Sequence, residues 1–299
     1  MKLRPTLLFL ALAPSLALAN PDLTLRYTRP AAEWVEALPV GNGRLGAMVF
    51  GGIHQERLQL NEDTLWAGGP YDPANPDALA ALPEVRRLIA AGEYEAAQHL
   101  TQEKLMSRPM RQMPYQTVGD LMFTFSGGEP VANYRRELDL DTAVATTAFT
   151  IGTSAWDTVH TREVFASPVD QVIAVRITAT APNRPDQGRL NFTLGAQSHQ
   201  HANSRTDADD TIILDGRNGP AEGIEGALKF QARAKVILDG GSMRADGQQL
   251  HVSGARSVLV LVAAATSFRR YDDVSGDPDA LNRATLAAAA SKSYDKLLA

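Results

Sequence analysis

The chain contains no cysteine among its 299 residues. Disulfides, thiolate nucleophiles and cysteine-ligated metals are excluded, so stability must come from the size of the core. Aromatic residues are sparse at 6%, with three tryptophans, and each tryptophan is therefore worth locating. Basic surplus is missing too. A net charge of −5 and a pI near 5.7 leave nothing to neutralise a phosphate backbone, so no nucleic acid is expected as a partner. The apolar run near the N-terminus is shorter than the roughly 20 residues a membrane span needs, and Pro14 interrupts it. No repeat or low-complexity linker breaks the chain. What is left is 44% hydrophobic and 21% charged, the composition of a soluble globular protein of one large or two ordinary domains.

The first residues have the three parts of a secretory signal peptide: Lys2 and Arg4, the apolar run from Leu7 to Ala13, and Ala17-Leu18-Ala19 before Asn20. Cleavage is expected after Ala19, so residues 1–19 are read as a signal peptide and the protein as periplasmic or secreted. No membrane span is expected after cleavage.

The most specific stretch follows. Five glycines between Gly41 and Gly52 bracket the apolar run Ala47-Met48-Val49-Phe50, which reads as a buried strand entered and left through turns that need positive φ or close backbone approach. Gly41-Asn42-Gly43-Arg44-Leu45-Gly46 matches G-x-G-x-x-G, with Glu62 near the distance of a ribose-binding acid. The dinucleotide fingerprint needs a strand before it and a helix starting inside it. Here Pro39 precedes the first glycine and Gly51-Gly52 would end any helix within two turns, so that reading fails on context.

Strand signals dominate the remainder. Residues 23–28, 47–50 and 56–60 read as strands, the last two as a hairpin that delivers Asn61-Glu62-Asp63-Thr64-Leu65-Trp66 to a loop. Loops held on rigid strands concentrate binding residues. Trp66 beside polar groups suits a sugar, whose apolar face stacks on an indole; the alternative is a buried plug with Asn61 capping the turn. Trp34 is expected in the core, on a helical turn at 33–38. A helical insertion occupies 75–107, with Asn75 as N-cap and Pro76 at the first position. From Gly119 onward ten further strands are expected, at 121–125, 134–140, 143–151, 158–166, 171–178, 190–196, 211–214, 228–238, 249–252 and 257–264. This is an antiparallel sandwich signature. Residues 257–263 are apolar on both faces and should lie mid-sheet. After Tyr271 the character changes, and residues 280–299 read as an alanine-rich helix capped by Asp279 that runs uncapped to the end.

Taken in order, Trp34, Glu36-Ala37-Leu38-Pro39, Gly41-Asn42-Gly43-Arg44, Gly46 to Gly52, Leu60-Asn61-Glu62 and Thr64-Leu65-Trp66 resemble the opening of glycoside hydrolase family 95 enzymes, the α-L-fucosidase and related α-galactosidase type. The likeness continues through Asn75-Pro76, Gly92, Tyr115-Gln116, Gly119-Asp120-Leu121, Tyr134 to Leu140 and Arg162 to Ser167, nearly the whole chain after the signal segment. It implies a mainly β fold: an N-terminal super-sandwich over residues 20–270, then at 271–299 the start of a helical linker to an (α/α)6 barrel. It also implies an inverting hydrolase whose general acid and base both sit in that barrel, with no cofactor and no metal. On this reading the chain stops in the linker and no catalytic residue can be carried over.

Inverting hydrolysis needs two carboxyl groups flanking the bond. Glu62, Asp63 and Asp120 are the carboxylates of the conspicuous loops, and each is equally readable as a structural hydrogen-bond or ion-pair partner. The substrate-binding candidates are Asn61, Glu62, Trp66, Tyr115, Gln116 and Asp120; Gly41, Asn42, Gly43, Arg44 and Gly46 are read as a structural motif. His199 and His201, near Asp207 and Asp209, would suit a metal only with a third ligand that the spacing does not supply, and an exposed polar turn is the preferred reading. Three functions stay open: the N-terminal domain of an exported fucosidase-type hydrolase, a free-standing carbohydrate-binding or scaffold module, or a truncated fragment. The first implies as partners an oligosaccharide substrate and a catalytic barrel, in cis or on another chain.

Overall fold

A computed structural model describes residues 23–152, 157–184 and 187–299, so the signal segment lies outside the described residues. Two antiparallel sheets make up the body. One contains β1 (Thr24–Tyr27), β6 (Val131–Asp139), β7 (Val144–Ile151), β8 (Thr158–Ser167), β9 (Val172–Thr180), β11 (His201–Asp207), β12 (Thr211–Arg217), β13 (Lys229–Asp239) and β16 (Ser257–Thr266). Its strand order is β1-β6-β7-β8-β9-β16-β13-β12-β11. The other contains β2 (Leu38–Gly41), β3 (Leu45–Val49), β4 (Gln55–Glu62), β5 (Gly119–Phe125), β10 (Leu190–Gln197), β14 (Ser242–Ala245) and β15 (Leu250–Ala255). It runs β14-β15-β10-β5-β4-β3-β2. The mainly β sandwich expected from the strand spacing is the fold observed.

Alternation builds the core between the sheets. Leu58 and Leu60 of β4, Leu121 and Phe123 of β5 and Leu194 of β10 meet Ile177 of β9, Ala232 of β13 and Val260 and Val262 of β16 in one buried cluster. Each fully buried Leu, Val or Phe contributes about 1.5–3 kcal/mol to this layer. β16 lies between β9 and β13, as its apolar sequence predicts. Its even positions face the sandwich core, while Leu261 and Ala263 face out, where two helices cover them.

Those helices are α3 (Pro278–Ala289) and α4 (Tyr294–Leu298), in place of the single helix expected at 280–299. Asp277, and not Asp279, is the N-cap of α3: its carboxylate accepts from the backbone N–H groups of Asp279 and Ala280, with Pro278 at the first helical position. Ser293 interrupts the run because its hydroxyl caps α4. Leu286, Ala289, Tyr294 and Leu297 pack on Val144, Phe165, Val172 and Ala174, so the apolar stripe of this segment is buried on the sheet.

The insertion forms α1 (Ala78–Ala90), unbroken by Pro83, and α2 (Tyr94–Lys104). Asn75 sits upstream of α1 and does not cap its first turn; its side chain accepts from the Asp77 N–H and donates to the Met106 carbonyl. Trp34 is 54% exposed, contrary to the core position expected for it. Its 3-10 turn spans only Trp34–Glu36 and is held by Glu36, which accepts from Arg29 and from the Ala32 N–H. β2, β11 and β14 were not foreseen. His199 and Gln200 form the polar bend expected between strands, linking β10 to β11, and His201 opens β11, a polar edge strand paired with β12. Charged and polar residues on an edge protect it from pairing with another chain, and they also hide it from a search for apolar alternation.

Candidate functional site

The hairpin of β3 and β4 brings the two sequence motifs together. Leu45 pairs with Glu62 and Gly46 with Asn61, so the glycine turn and the Asn61 to Trp66 stretch lie side by side at one end of the sandwich. Asn61 and Glu62 are the last residues of β4, which leaves Asp63 to Trp66 as the turn proper.

Each residue of the glycine motif has a local task. Gly41 and Gly46 face each other across the β2–β3 pair, and Gly43 takes φ +91°, a conformation that L side chains rarely adopt. The Asn42 side chain accepts from the N–H groups of Arg44 and Leu45 and donates to the Ser167 carbonyl, tying the turn to the opposite sheet. Arg44 spans the gap between sheets. Its guanidinium donates to Gln171 Oε1 at 2.7 Å, to the Ala264 carbonyl at 2.7 Å and to Glu62 Oε1 at 3.3 Å.

Glu62 belongs to the inward row of β4, Glu56-Leu58-Leu60-Glu62, and is buried. Burial pushes its carboxyl above the usual carboxylate range, opposed by hydrogen bonds from Thr64. Its Oε2 accepts from the Thr64 N–H at 2.9 Å and the Thr64 hydroxyl at 2.6 Å, and that hydroxyl lies 2.5 Å from the Thr266 hydroxyl of β16. The turn is braced throughout. The Asp63 N–H donates to the Arg44 carbonyl and the Trp66 indole to the Asp63 carbonyl. The Tyr115 hydroxyl donates to the Glu62 carbonyl, and the Asn218 amide to the carbonyls of Trp66 and Gly68.

Two open cavities flank this turn. The first, ≈ 370 Å³, is lined by Trp66, Tyr71, Gln112, Met113, Phe268 and Tyr271 together with Asp63 and Thr64. The second, ≈ 390 Å³, is lined by Arg44, Glu62, Gln171, Phe268, Asn282 and Thr285, again with Asp63 and Thr64. Both fall at the small end of the roughly 300–1,000 Å³ of ligand sites.

The predicted residues divide three ways. Trp66 lines the first cavity and Glu62 the second. Tyr115 and Gln116 brace the turn from behind: Tyr115 meets Trp66 edge-on with ring centroids 5.2 Å apart, and Gln116 donates its N–H to the Leu65 carbonyl and accepts from the Gly219 N–H. Asn61 and Asp120 line neither cavity, because β-strand alternation turns them to the outward face of the seven-stranded sheet. There Asp120 is buried in an ion pair with Arg57, 3.0 Å away. Phe268, Tyr271 and Gln171 were missed. Two aromatics around Arg269-Arg270, directly after a fully apolar strand, were the available signal, since functional side chains concentrate where a rigid strand ends. Among the described residues no group of three or more His, Cys, Asp or Glu is placed to hold a metal ion, His199 and His201 included.

Sheets of nine and seven antiparallel strands around one core, with α3 and α4 over one outer face, define a protein of the large β-sandwich class. The family described as "Glycosyl hydrolase family 65, N-terminal domain" matches residues 25–271, and the chain belongs to it. It is 36% identical over 269 residues to Alpha-L-fucosidase 2 of Arabidopsis thaliana, covering 82% of this chain and 30% of that protein. It is 30% identical over 246 residues to the "Probable alpha-fucosidase A" of Aspergillus niger, covering 78% of this chain and 28% of the relative. A solved structure described as "Putative kojibiose phosphorylase from human microbiome" superposes with a TM-score of 0.52 at 9% identity, over 94% of this chain and 37% of that one, and so shares the fold. The chain thus spans about 30% of the length of the fucosidases it matches. The family and the fucosidase relatives agree with the family 95 resemblance of the motifs.

Proposed function

We propose that this chain is the N-terminal domain of an exported glycoside hydrolase that removes terminal α-L-fucosyl residues with inversion, and that it shapes the sugar site without performing the chemistry. The observation that carries the reading is the convergence of the Gly41 to Gly46 and Asn61 to Trp66 motifs into one braced turn, with Trp66 at an aromatic cavity, in a chain whose relatives are fucosidases. Hydrolysis with inversion needs two carboxyl groups about 6.5–9.5 Å apart. Of the carboxylates lining the cavities, Glu62 is held by Arg44 and Thr64, which leaves Asp63 as the exposed one. This favours a catalytic pair elsewhere, in the barrel that the resemblance implies. Lys2, Arg4, the Leu7 to Ala13 run and Ala17-Leu18-Ala19 support export to the periplasm or beyond.

Two measurements test the reading. The purified chain is expected to release no L-fucose from fucosylated oligosaccharides, because removal of the catalytic groups leaves only binding. L-fucose release by the purified chain that Glu62→Gln or Asp63→Asn abolishes would place catalysis inside this domain and overturn it. Mass spectrometry of the exported protein is expected to find Asn20 at the N-terminus.

A further inference from the structure

The two cavities are not separate sites. Both are bounded by Asp63, Thr64 and Phe268, so the turn and one phenyl ring form a saddle with a chamber on either side. The chambers differ in chemistry. Trp66, Tyr71, Phe268 and Tyr271 line the first, a concentration of aromatics in a chain that is 6% aromatic, and Phe268 and Tyr271 are 42% and 82% exposed. Arg44, Gln171, Asn282 and Thr285 line the second together with Ala264 and Leu281, so amide, guanidinium and hydroxyl groups there sit among aliphatic ones in place of aromatics.

Asp63 stands between them. Its carboxylate is exposed and makes no hydrogen bond or ion pair with any described residue, while its backbone is held at both ends, N–H to the Arg44 carbonyl at 3.0 Å and carbonyl to the Trp66 indole at 2.9 Å. Glu62 and Thr64, its neighbours, are consumed in bracing. A carboxylate whose main chain is immobilised costs little further ordering on binding, and an acceptor of this kind beside an aromatic face matches a sugar hydroxyl pair next to the apolar face of the ring. The second chamber, with Thr285 and the edge of the Arg44 guanidinium set among apolar groups, suits an adjoining sugar that also has an apolar and a hydroxyl side.

We propose that this end of the sandwich is a two-chamber carbohydrate site that takes a disaccharide-length glycan across the saddle, with Asp63 as the residue that contacts both sugars. The proposal rests on reading the domain as part of a glycan hydrolase. It adds a site within this chain, a ligand of at least two sugars, and a residue for which the motifs offered only a catalytic or structural reading.

Titration calorimetry or ligand-observed NMR on the chain tests it, with L-fucose, an α-L-fucosyl-(1→2)-galactose disaccharide and maltose as probes. The fucosyl disaccharide is expected to bind about tenfold or more tightly than L-fucose, a gain of about 1.4 kcal/mol from the second occupied chamber. Asp63→Asn, at an exposed position, should abolish the gain without moving the melting temperature. Thr285→Arg, which fills the second chamber from α3, should bring the disaccharide down to the affinity of L-fucose and leave L-fucose unaffected. Equal affinity for one sugar and two, no binding of any probe, or undiminished binding in folded Asp63→Asn would each overturn the proposal. Maltose binding as tightly as the fucosyl disaccharide, with the same Asp63 dependence, would uphold the site and sink the fucosidase reading instead. Fucosidase activity in the full-length enzyme that ignores both variants would do the reverse.

Discussion

His160 stacks on Phe149, its cross-strand neighbour, with ring centroids 5.3 Å apart and planes 5° from parallel. Burial, aided by the Arg162 charge, pushes its pKa down to about 4. An unfolded histidine titrates near 6.5, so the native state binds fewer protons between those values. Its contribution is complete above about pH 6.5 and is lost as the pH falls toward about 4, by up to about 3 kcal/mol. Denaturant melts of the wild type and His160→Phe should diverge across this window, with the variant flatter. Equal pH slopes would refute it. Next to it, Arg162 and Glu56 form a buried pair at 3.1 Å joining the two sheets, with the guanidinium also over the Phe125 ring at 3.9 Å and donating to the carbonyls of Gly52 and Ile53. Burial raises the Glu56 carboxyl and lowers the Arg162 guanidinium, the mark of two charges held against desolvation. Arg162→Met alone would strand the glutamate and should cost about 3–5 kcal/mol in urea unfolding, with much of that recovered in Glu56→Gln/Arg162→Met. At Trp66 the outcome differs in kind. The ring is 37% exposed and meets Tyr115 edge-on, so Trp66→Ala in the full-length enzyme should raise KM on oligosaccharide and leave the melting temperature within a few degrees. A collapse of stability with unchanged kinetics in the folded fraction would make Trp66 a structural plug.

At the scale of elements, α3 is fastened at its first turn. Asp277 caps it, and Asp279 accepts from Arg233 of β13, from Gln231 at 3.0 Å and from Arg283 at 2.8 Å. Buried Asn282 donates to the Gln231 carbonyl. Asp277→Ala removes the cap and should cost about 1 kcal/mol, seen as faster hydrogen exchange over residues 279–286. Exchange no faster than wild type would show that the Asp279 clasp alone holds the turn. The same helix walls the second chamber through Thr285, so fraying here should also loosen that chamber.

For the whole molecule, the outer face of the nine-stranded sheet carries a second buried apolar cluster, apart from the core between the sheets. Val144, Phe165, Val172, Ala174, Leu261 and Ala263 are buried there only because α3 and α4 lie over them. Deleting residues 277–299 should uncover one contiguous apolar patch, giving association in light scattering and binding of a hydrophobic dye. A monodisperse monomer that binds no dye would show that the sheet closes without its helices.

Period-two alternation, the turn glycines and the doubly apolar 257–263 segment are local properties of the chain, so the strands other than β2, β11 and β14, the sandwich and the central place of β16 were legible without coordinates. The motif resemblance likewise reached the family because it depends on residues in order. What the sequence left open needed register and contact between distant segments. Glu62 and Asp63 are adjacent and chemically alike, yet alternation turns one inward to Arg44 and Thr64 and leaves the other at the rim of both cavities. Asp120 looked like a loop carboxylate until pairing with Gln59 and Gln197 put it inside a sheet. Phe268 and Thr285 join the site from more than two hundred residues along the chain, because β16 ends beside the Asp63 turn and α3 folds back over it. Secondary structure follows from short-range periodicity; a site is set by which chain ends meet, and only the folded sheet order decides that.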